Sequence, residues 1–447
     1  MEEKAATGKF KGDRVIWTVF FFLCIISIIE VFSASSNLSF KSGNYLGPVL
    51  KHVMLLVVGV MAMIATMNVK CKYFKMVTPG ALIISFIGLI AVLCFGESTN
   101  GSQRWLSIMG IQFQPSELAK GAIILATAQI LSAMQTPTGA DKRAFKYICI
   151  VCAFIVPLIM VENLSTAVLL CTVVFLLMFI GKVPKAQLGR LLGIVMLCLI
   201  FIVSMVMILG HDKEKENADG QKMAMTEQVE KKDETVVEKV FHRFDTWKAR
   251  IDKFLDNKEI APEEVDLDKD GQTAHANIAI ASSNVVGKGP GNSVERDFLS
   301  QAFSDFIYAI IIEEMGIAGA AFVCLLYIIL LFRTATIANR CVNTFPALLI
   351  MGFARRLFIH AIYTMAVAVG LVPVTGQPLP LISKGGTSTI VNCVYIGIIL
   401  SVSYSAKKKD EDGDMDETKA DKIKPAATDK KITSTTSASP VPLAKIG

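Results

Sequence analysis

The strongest constraint on this chain is a repeated one. Apolar runs of about 18 residues or more recur along most of its 447 residues, and each can span a bilayer core of roughly 30 Å. In hydrocarbon the backbone must satisfy its own hydrogen bonds, so runs of this length must be helices. Hydrophobic residues make up 53% of the chain and charged residues 19%, against roughly 45–50% and 25% in a soluble domain, and the charge is bunched into a few stretches. The expected fold class is an all-α polytopic membrane protein. Ten transmembrane helices are predicted, at about 15–36, 48–67, 76–95, 115–134, 147–161, 165–181, 191–210, 305–332, 345–372 and 387–405, the fifth and sixth as a broken pair around Val161–Ser165.

Lysine and arginine choose the orientation. One set of short loops carries Lys4, Lys9, Lys11 and Arg14; Lys70, Lys72 and Lys75; Lys142, Arg143 and Lys146; Lys182, Lys185 and Arg190; Arg333 and Arg340; and Lys407 to Lys409. The opposite set carries Lys41, Arg104 and Lys384, one per loop. The first set is expected in the cytoplasm. The organisation that follows is a cytoplasmic N-terminus 1–14, helices 1–7 over 15–210, a large extracytoplasmic loop 211–304 between helices 7 and 8, helices 8–10 over 305–405, and a disordered cytoplasmic tail 406–447. The first run, Val15 to Ser33, lacks a small-residue cleavage site and reads as a retained span. Within the large loop, Val237, Val240, Phe241, Phe244, Trp247, Ile251 and Phe254 have the spacing of an amphipathic helix lying on the membrane. The net charge of +6 bears on orientation; no basic patch on a folded soluble face is readable, so nucleic acid is not an expected partner. The ten cysteines lie in or beside the apolar runs, and no disulfide framework is readable.

Three stretches on the extracytoplasmic side are not ordinary loops. The first is Gly101–Lys120. Pro115 suits the first turn of a helix with Gln114 or a neighbour as its cap, and Glu117 and Lys120 fall on one face early in a span. Ionisable groups inside a span are expensive, so this pair is either a neutralised structural ion pair or the lining of a polar substrate cavity. Arg104 is either a stray surface charge or a phosphate ligand, since guanidinium grips phosphate oxygens bidentately. The second stretch runs from Gly287 to Gly319. Ser304 or Asp305 can cap a helix, and Asp305 is also the last acid before an apolar run, where a substrate with a polar head and a lipid tail would lie. Glu313 and Glu314 follow inside the span, and Gly287–Ser293 offers backbone amides and Lys288 to an anion. The third stretch, Gly370–Ser388, holds three prolines and four glycines between two apolar runs; irregular backbone at that depth needs protein or a watery cavity around it.

Asp266-x-Asp268-x-Asp270-Gly271 begins like a calcium loop, but Asn277 stands where the bidentate Glu belongs, so a cluster of acids in a solvated loop is the expectation. There is no His/Cys ligand set, P-loop or Ser-His-Asp order, and no cofactor is established; a divalent cation stays open without a ligand set that declares it.

Taken together, Arg104-Trp105, Gln114-Pro-Ser-Glu-Leu-Ala-Lys120, Gly287–Ser293, Ser304–Ala309 with Glu313–Gly316, and Pro373–Ser388 resemble the SEDS family of bacterial cell-wall synthesis (FtsW, RodA and SpoVE) over roughly residues 15–405. The wording of the last two stretches is more similar to the division branch than to the elongation branch. The resemblance implies an inner-membrane peptidoglycan glycosyltransferase that polymerises lipid II with release of undecaprenyl pyrophosphate. It implies a class B penicillin-binding protein and other membrane proteins of the division machinery as partners. It places the essential aspartate at Asp305 and substrate contacts at Arg104, Gln114, Ser116, Glu117, Lys120, Lys288, Gly385 and Gly386. The chain departs from the family pattern at Asn163-Leu-Ser-Thr-Ala167, at His360 and Thr364 where Gln and Asn are common, and at Lys384 where Tyr is common. A lipid II flippase and a non-catalytic division scaffold are the alternatives; the clustering of the special residues on one side favours the enzyme.

Overall fold

The computed structural model describes residues 11–35, 47–99, 102–108, 111–209, 248, 267–299 and 302–422. All ten expected helices are present: α1 (Arg14–Ala34), α2 (Gly47–Met67), α3 (Cys71–Phe95), α4 (Pro115–Ala133), α5 (Lys142–Glu162), α6 (Leu164–Ile180), α7 (Lys185–Leu209), α9 (Ile307–Arg340), α10 (Thr344–Ala368) and α11 (Thr387–Lys422). Eight of these are long and apolar enough to cross a membrane. Of the other two, α6 has 17 residues, and α4 carries Glu117, Lys120 and Gln129 on 19. The protein is a multi-pass membrane protein.

Several helices outrun their apolar stretches. α3, α5 and α7 begin at Cys71, Lys142 and Lys185, and α9 continues to Arg340. Lysine and arginine are good helix formers and can keep their charged heads in water while the stem stays on the helix, so the backbone has no reason to stop where hydrophobicity does. Asn163 makes the break between α5 and α6. It ends one helix, and its side chain accepts from the Thr166 amide at the start of the next. Asp13 caps α1 by accepting from the Val15 and Ile16 amides, and it also takes two bonds from Arg333 of α9, at 2.9 and 2.6 Å.

The low hydropathy of α4 is explained by its place. It packs against α3, α5, α6 and α10, and most of its residues from Pro115 to Ala128 are buried in protein rather than lipid. At the other extreme, α7 buries little of its length and presents Leu197, Ile200 and Phe201 outward. α9 packs on α1 and α10.

Ahead of α4 the chain forms a small antiparallel sheet in the order β1 (Glu97–Thr99), β2 (Ser102–Ile108), β3 (Ile111–Phe113), with Trp105 opposite Glu97 and Leu106 opposite Phe113. The sequence reading treated this stretch as loop. A second pair, β4 (Gln135–Thr136) and β5 (Gly139–Ala140), links α4 to α5. In the large loop, α8 (Leu267–Ala281) is a further helix. It runs through Asp268, Asp270 and Gly271, so this segment does not take up a calcium-loop conformation. The amphipathic helix expected over 236–255 lies outside the described residues, Lys248 excepted.

The Gly287–Ser293 segment is stapled into a kink in α9. Gly316 interrupts that helix with φ 70° and ψ −177°. There Ile317 and Ala318 donate their amides to the Asn284 and Val285 carbonyls. A side chain on Gly316 would collide with the Val285 carbonyl, and one on Gly287 (φ 82°) with the Glu314 carbonyl. The backbone region of Gly316 is nearly closed to other residues and costs ~1–3 kcal/mol to enforce. Gly316→Ala is therefore expected to lower the thermal unfolding midpoint of the purified protein clearly; melting together with wild type would show that the staple carries no stability.

Candidate functional site

The site is assembled from four elements. β2 supplies Arg104. α4 supplies Glu117 and Lys120. The turn before α9 supplies Asp305. The irregular segment 369–386, between α10 and α11, threads among them. That segment is held by its neighbours: Ser27 Oγ of α1 donates to the Ile382 carbonyl (2.7 Å), Tyr327 of α9 donates to the Pro380 carbonyl, and Ser383 Oγ donates to the Ser304 carbonyl (2.5 Å) while accepting from the Leu379 amide (2.8 Å). These bonds satisfy backbone groups that helix would otherwise satisfy.

Gly376 is the point on which the segment brings acid and base together. It sits at φ 65°, and the position a Cβ would take there is 3.9 Å from both Arg104 Nη1 and Asp305 Oδ2. Asp305 is buried and Arg104 half-buried. Asp305 is not the cap of α9. Phe306 takes the N-cap position and its side chain makes no capping bond, so the N-cap residue is neither of the two expected, Ser304 or Asp305. Gln114 does hold the N-cap position of α4, with Pro115 in the first turn, but its side chain makes no capping bond.

Glu117 is shared by two cations. Lys120 Nζ is 2.5 Å from its Oε1 and Arg356 Nη2 of α10 is 2.9 Å from its Oε2, and all three residues are buried. Arg356 Nη1 lies 2.9 Å from His360 Nδ1. Guanidinium can only donate, so Nδ1 accepts and the ring proton sits on Nε2. Tyr395 of α11 completes the cluster: its hydroxyl donates to the Glu117 carbonyl at 2.6 Å and its ring lies under Arg356. Lys120, Arg356, His360, Thr166 and Gln377 line a small cavity of about 10 Å³, room for roughly one water, whose remaining wall is apolar, from α6 and α10. Gln377, the residue after Gly376, donates to Thr166 across it. The cavity itself is lined by the two cations, and the carboxylates of Glu117 and Glu162 act on Lys120 from beside it.

Sequence reading missed Arg356, and the signal was present: Arg355 and Arg356 stand in the middle of an apolar run, where an unpaired arginine is too costly to persist. Ser116 is buried at the head of α4, and the Gly385–Gly386 turn leads into α11, whose Thr387 donates to the Gln112 carbonyl of β3. Lys288 stands apart from this group, with its ammonium 2.6 Å from Glu313 Oε1. The amides of Gly291 and Ser293 point at Glu314, and Ser293 Oγ and the Val294 amide at Glu313. The anion held by this glycine-rich segment is the protein's own pair of carboxylates.

The comparisons agree with this architecture. The chain is 27% identical over 410 residues to the peptidoglycan glycosyltransferase MrdB of Escherichia coli (strain K12), covering 91% of this chain and 97% of that protein. It is 26% identical over 399 residues to the probable peptidoglycan glycosyltransferase FtsW of Aromatoleum aromaticum, covering 86% of each. Among solved structures, it superposes on a chain of a peptidoglycan synthase complex with a TM-score of 0.64 at 21% identity, over 88% of this chain and 98% of that one. It also superposes on the rod shape determining protein RodA of Thermus thermophilus with a TM-score of 0.57 at 20% identity, over 88% and 96%. The family profile described as cell cycle protein, FtsW/RodA/SpoVE, matches residues 13–408, and the chain belongs to that family.

Proposed function

We propose that this protein is a peptidoglycan glycosyltransferase that polymerises lipid II into glycan strands for septal wall synthesis, in the inner membrane of a bacterium with both termini in the cytoplasm. The observation that carries the reading is the convergence of Asp305 and Arg104 on Gly376, beside the cation-lined cavity of Lys120 and Arg356. Relatives named peptidoglycan glycosyltransferases align over most of the chain. The lysine and arginine bias supports the topology, with loop 211–304 outside.

Lipid II carries a disaccharide-peptide head, a pyrophosphate and a prenyl tail. The carboxylate of Asp305 accepts the proton of the acceptor's GlcNAc 4-hydroxyl. That oxygen attacks the anomeric carbon of the donor MurNAc, and undecaprenyl pyrophosphate leaves from the opposite face. The configuration inverts from α to β in one displacement. Arg104 meets the charge growing on the pyrophosphate with a planar fork of donors, and Lys120 and Arg356 add positive potential from a site shielded from water. Gln114, Ser116 and the Gly385–Gly386 turn shape the path of the head group, and Lys288 fastens the loop to Glu313.

A class B penicillin-binding protein is the proposed partner; a solved relative of the same fold belongs to a peptidoglycan synthase complex described as coordinating polymerisation and crosslinking. The test of the reading is incubation of the purified protein with labelled lipid II, with and without that partner. Glycan chains longer than the disaccharide are expected in at least one arm; their absence in both, with lipid II moved across vesicles instead, would replace the enzyme by a flippase. The division assignment rests on the wording of the 304–316 and 373–388 stretches and on FtsW-named relatives. Depletion in the source cell is expected to give filaments with unfinished septa, whereas rounded cells would assign the protein to shape maintenance.

A further inference from the structure

Asp305 is preceded by two carbonyls that the 369–386 segment grips directly. The Lys384 amide donates to the Phe303 carbonyl at 3.0 Å, and Ser383 Oγ donates to the Ser304 carbonyl at 2.5 Å. The Lys384 ammonium, 4.9 Å from the centre of the Phe303 ring, adds a third contact. The backbone that delivers these donors does not hold itself. Leu381 stands at φ 68°, in the left-handed region that residues with a side chain rarely enter. Such a conformation persists only where its surroundings over-determine it, and it is found most at functional sites.

Helices supply the bonds on both sides of Leu381 in the chain. Tyr327 of α9 donates to the Pro380 carbonyl, and Ser27 Oγ of α1 donates to the Ile382 carbonyl at 2.7 Å. Ser27 Oγ also lies 2.9 Å from His52 Nε2 of α2. A hydroxyl has one proton to give, and a carbonyl can only accept. Ser27 therefore gives its proton to Ile382 and accepts from His52, which places a ring proton on Nε2. Ser27 and His52 are both buried. In such surroundings a chain of hydrogen bonds polarises its members and holds them more firmly than isolated bonds would.

We propose that His52 and Ser27 are positioning residues for Asp305. The relay runs from the His52 ring through Ser27 to the Ile382 carbonyl, and from the next two residues, Ser383 and Lys384, to the carbonyls of Ser304 and Phe303. Neither residue touches the reacting atoms; together they set where the Asp305 carboxylate stands. The kinetic consequence rests on the polymerase reading, whereas the mechanical one does not.

The test uses full-length protein in nanodiscs with labelled lipid II, and it separates kcat from KM. His52→Leu, which keeps bulk and loses the donor, is expected to lower kcat about tenfold with KM changed by no more than about twofold, and Ser27→Ala to lower kcat at least as much. His52→Gln, whose amide can donate in place of the ring, is expected to recover most of the rate. Because His52 acts through Ser27, the double variant Ser27→Ala/His52→Leu should be no slower than Ser27→Ala. Losses that multiply in the double variant, or His52→Gln as slow as His52→Leu, would overturn the relay. Hydrogen exchange over residues 303–306 in the same variants needs no turnover. Faster exchange there, with α4 exchanging as in the wild type, supports the relay even if the wild type makes no glycan, which would count against the polymerase reading alone. Wild-type exchange over 303–306 in both Ser27→Ala and His52→Leu overturns the relay. An increase spread equally over all helices overturns it too, since the two residues would then serve general stability.

Discussion

Glu117→Gln is expected to destabilise the protein by ~3–5 kcal/mol, the cost of breaking a buried ion pair from one side. Glu117 is the one carboxylate bonded to both Lys120 and Arg356, and all three are buried. Removing its charge while keeping its shape leaves two cations facing each other in protein. The effect of the cations is expected to be asymmetric. Lys120→Met leaves Glu117 with Arg356, and Arg356→Met leaves it with Lys120; either way a one-to-one pair survives, and each loss should be much smaller. Thermal unfolding of the three purified variants checks the order. Equal losses, or a loss from Lys120→Met larger than that from Glu117→Gln, would show that the charge balance is not what holds α4 to α10.

Substitution at Asp305 is expected to act on turnover and not on the fold. Phe306 rather than Asp305 is the N-cap residue of α9, so Asp305 is not the residue that caps that helix. Loss of a positioned base is worth roughly 10²–10⁴-fold in rate. Asp305→Ala should therefore lose polymerisation by at least that factor and melt close to wild type. Asp305→Glu is the sharper variant. It keeps the carboxylate but moves it by one methylene in a place packed against Gly376, and misplacement of this order is itself costly. Recovery of more than a small part of wild-type rate by Asp305→Glu would mean that the carboxylate's position is not set by the 369–386 segment. Arg104→Lys keeps the charge but not the fork, and is expected to fall between.

Much of this was legible in the sequence, for identifiable reasons. A span announces itself because twenty apolar residues have no other stable state in lipid, and eight of the ten helices meet that test of length and apolarity. The Glu117–Lys120 contact was legible because positions three apart share a helix face. Arg356 was harder, since its partner is 239 residues away and only tertiary packing brings them together. The β2 strand under Arg104 escaped because it is short and pairs with strands of three residues, which leave little alternation to read. The Gly287–Ser293 segment was expected to offer backbone amides and Lys288 to an anion, and two of its amides, of Gly291 and Ser293, bond to Glu314. What sequence could not supply was the anion: a helix kinked at Gly316 delivers Glu313 and Glu314 to it.

The central claim is that Asp305 serves as the base in an inverting sugar transfer on lipid II. Product analysis tests it most directly, using purified wild-type protein and Asp305→Asn with labelled lipid II at concentrations that saturate binding to both. The account predicts β-linked glycan and released undecaprenyl pyrophosphate from the wild type, and bound but unreacted lipid II on Asp305→Asn. Glycan formed by Asp305→Asn at the wild-type rate would contradict it.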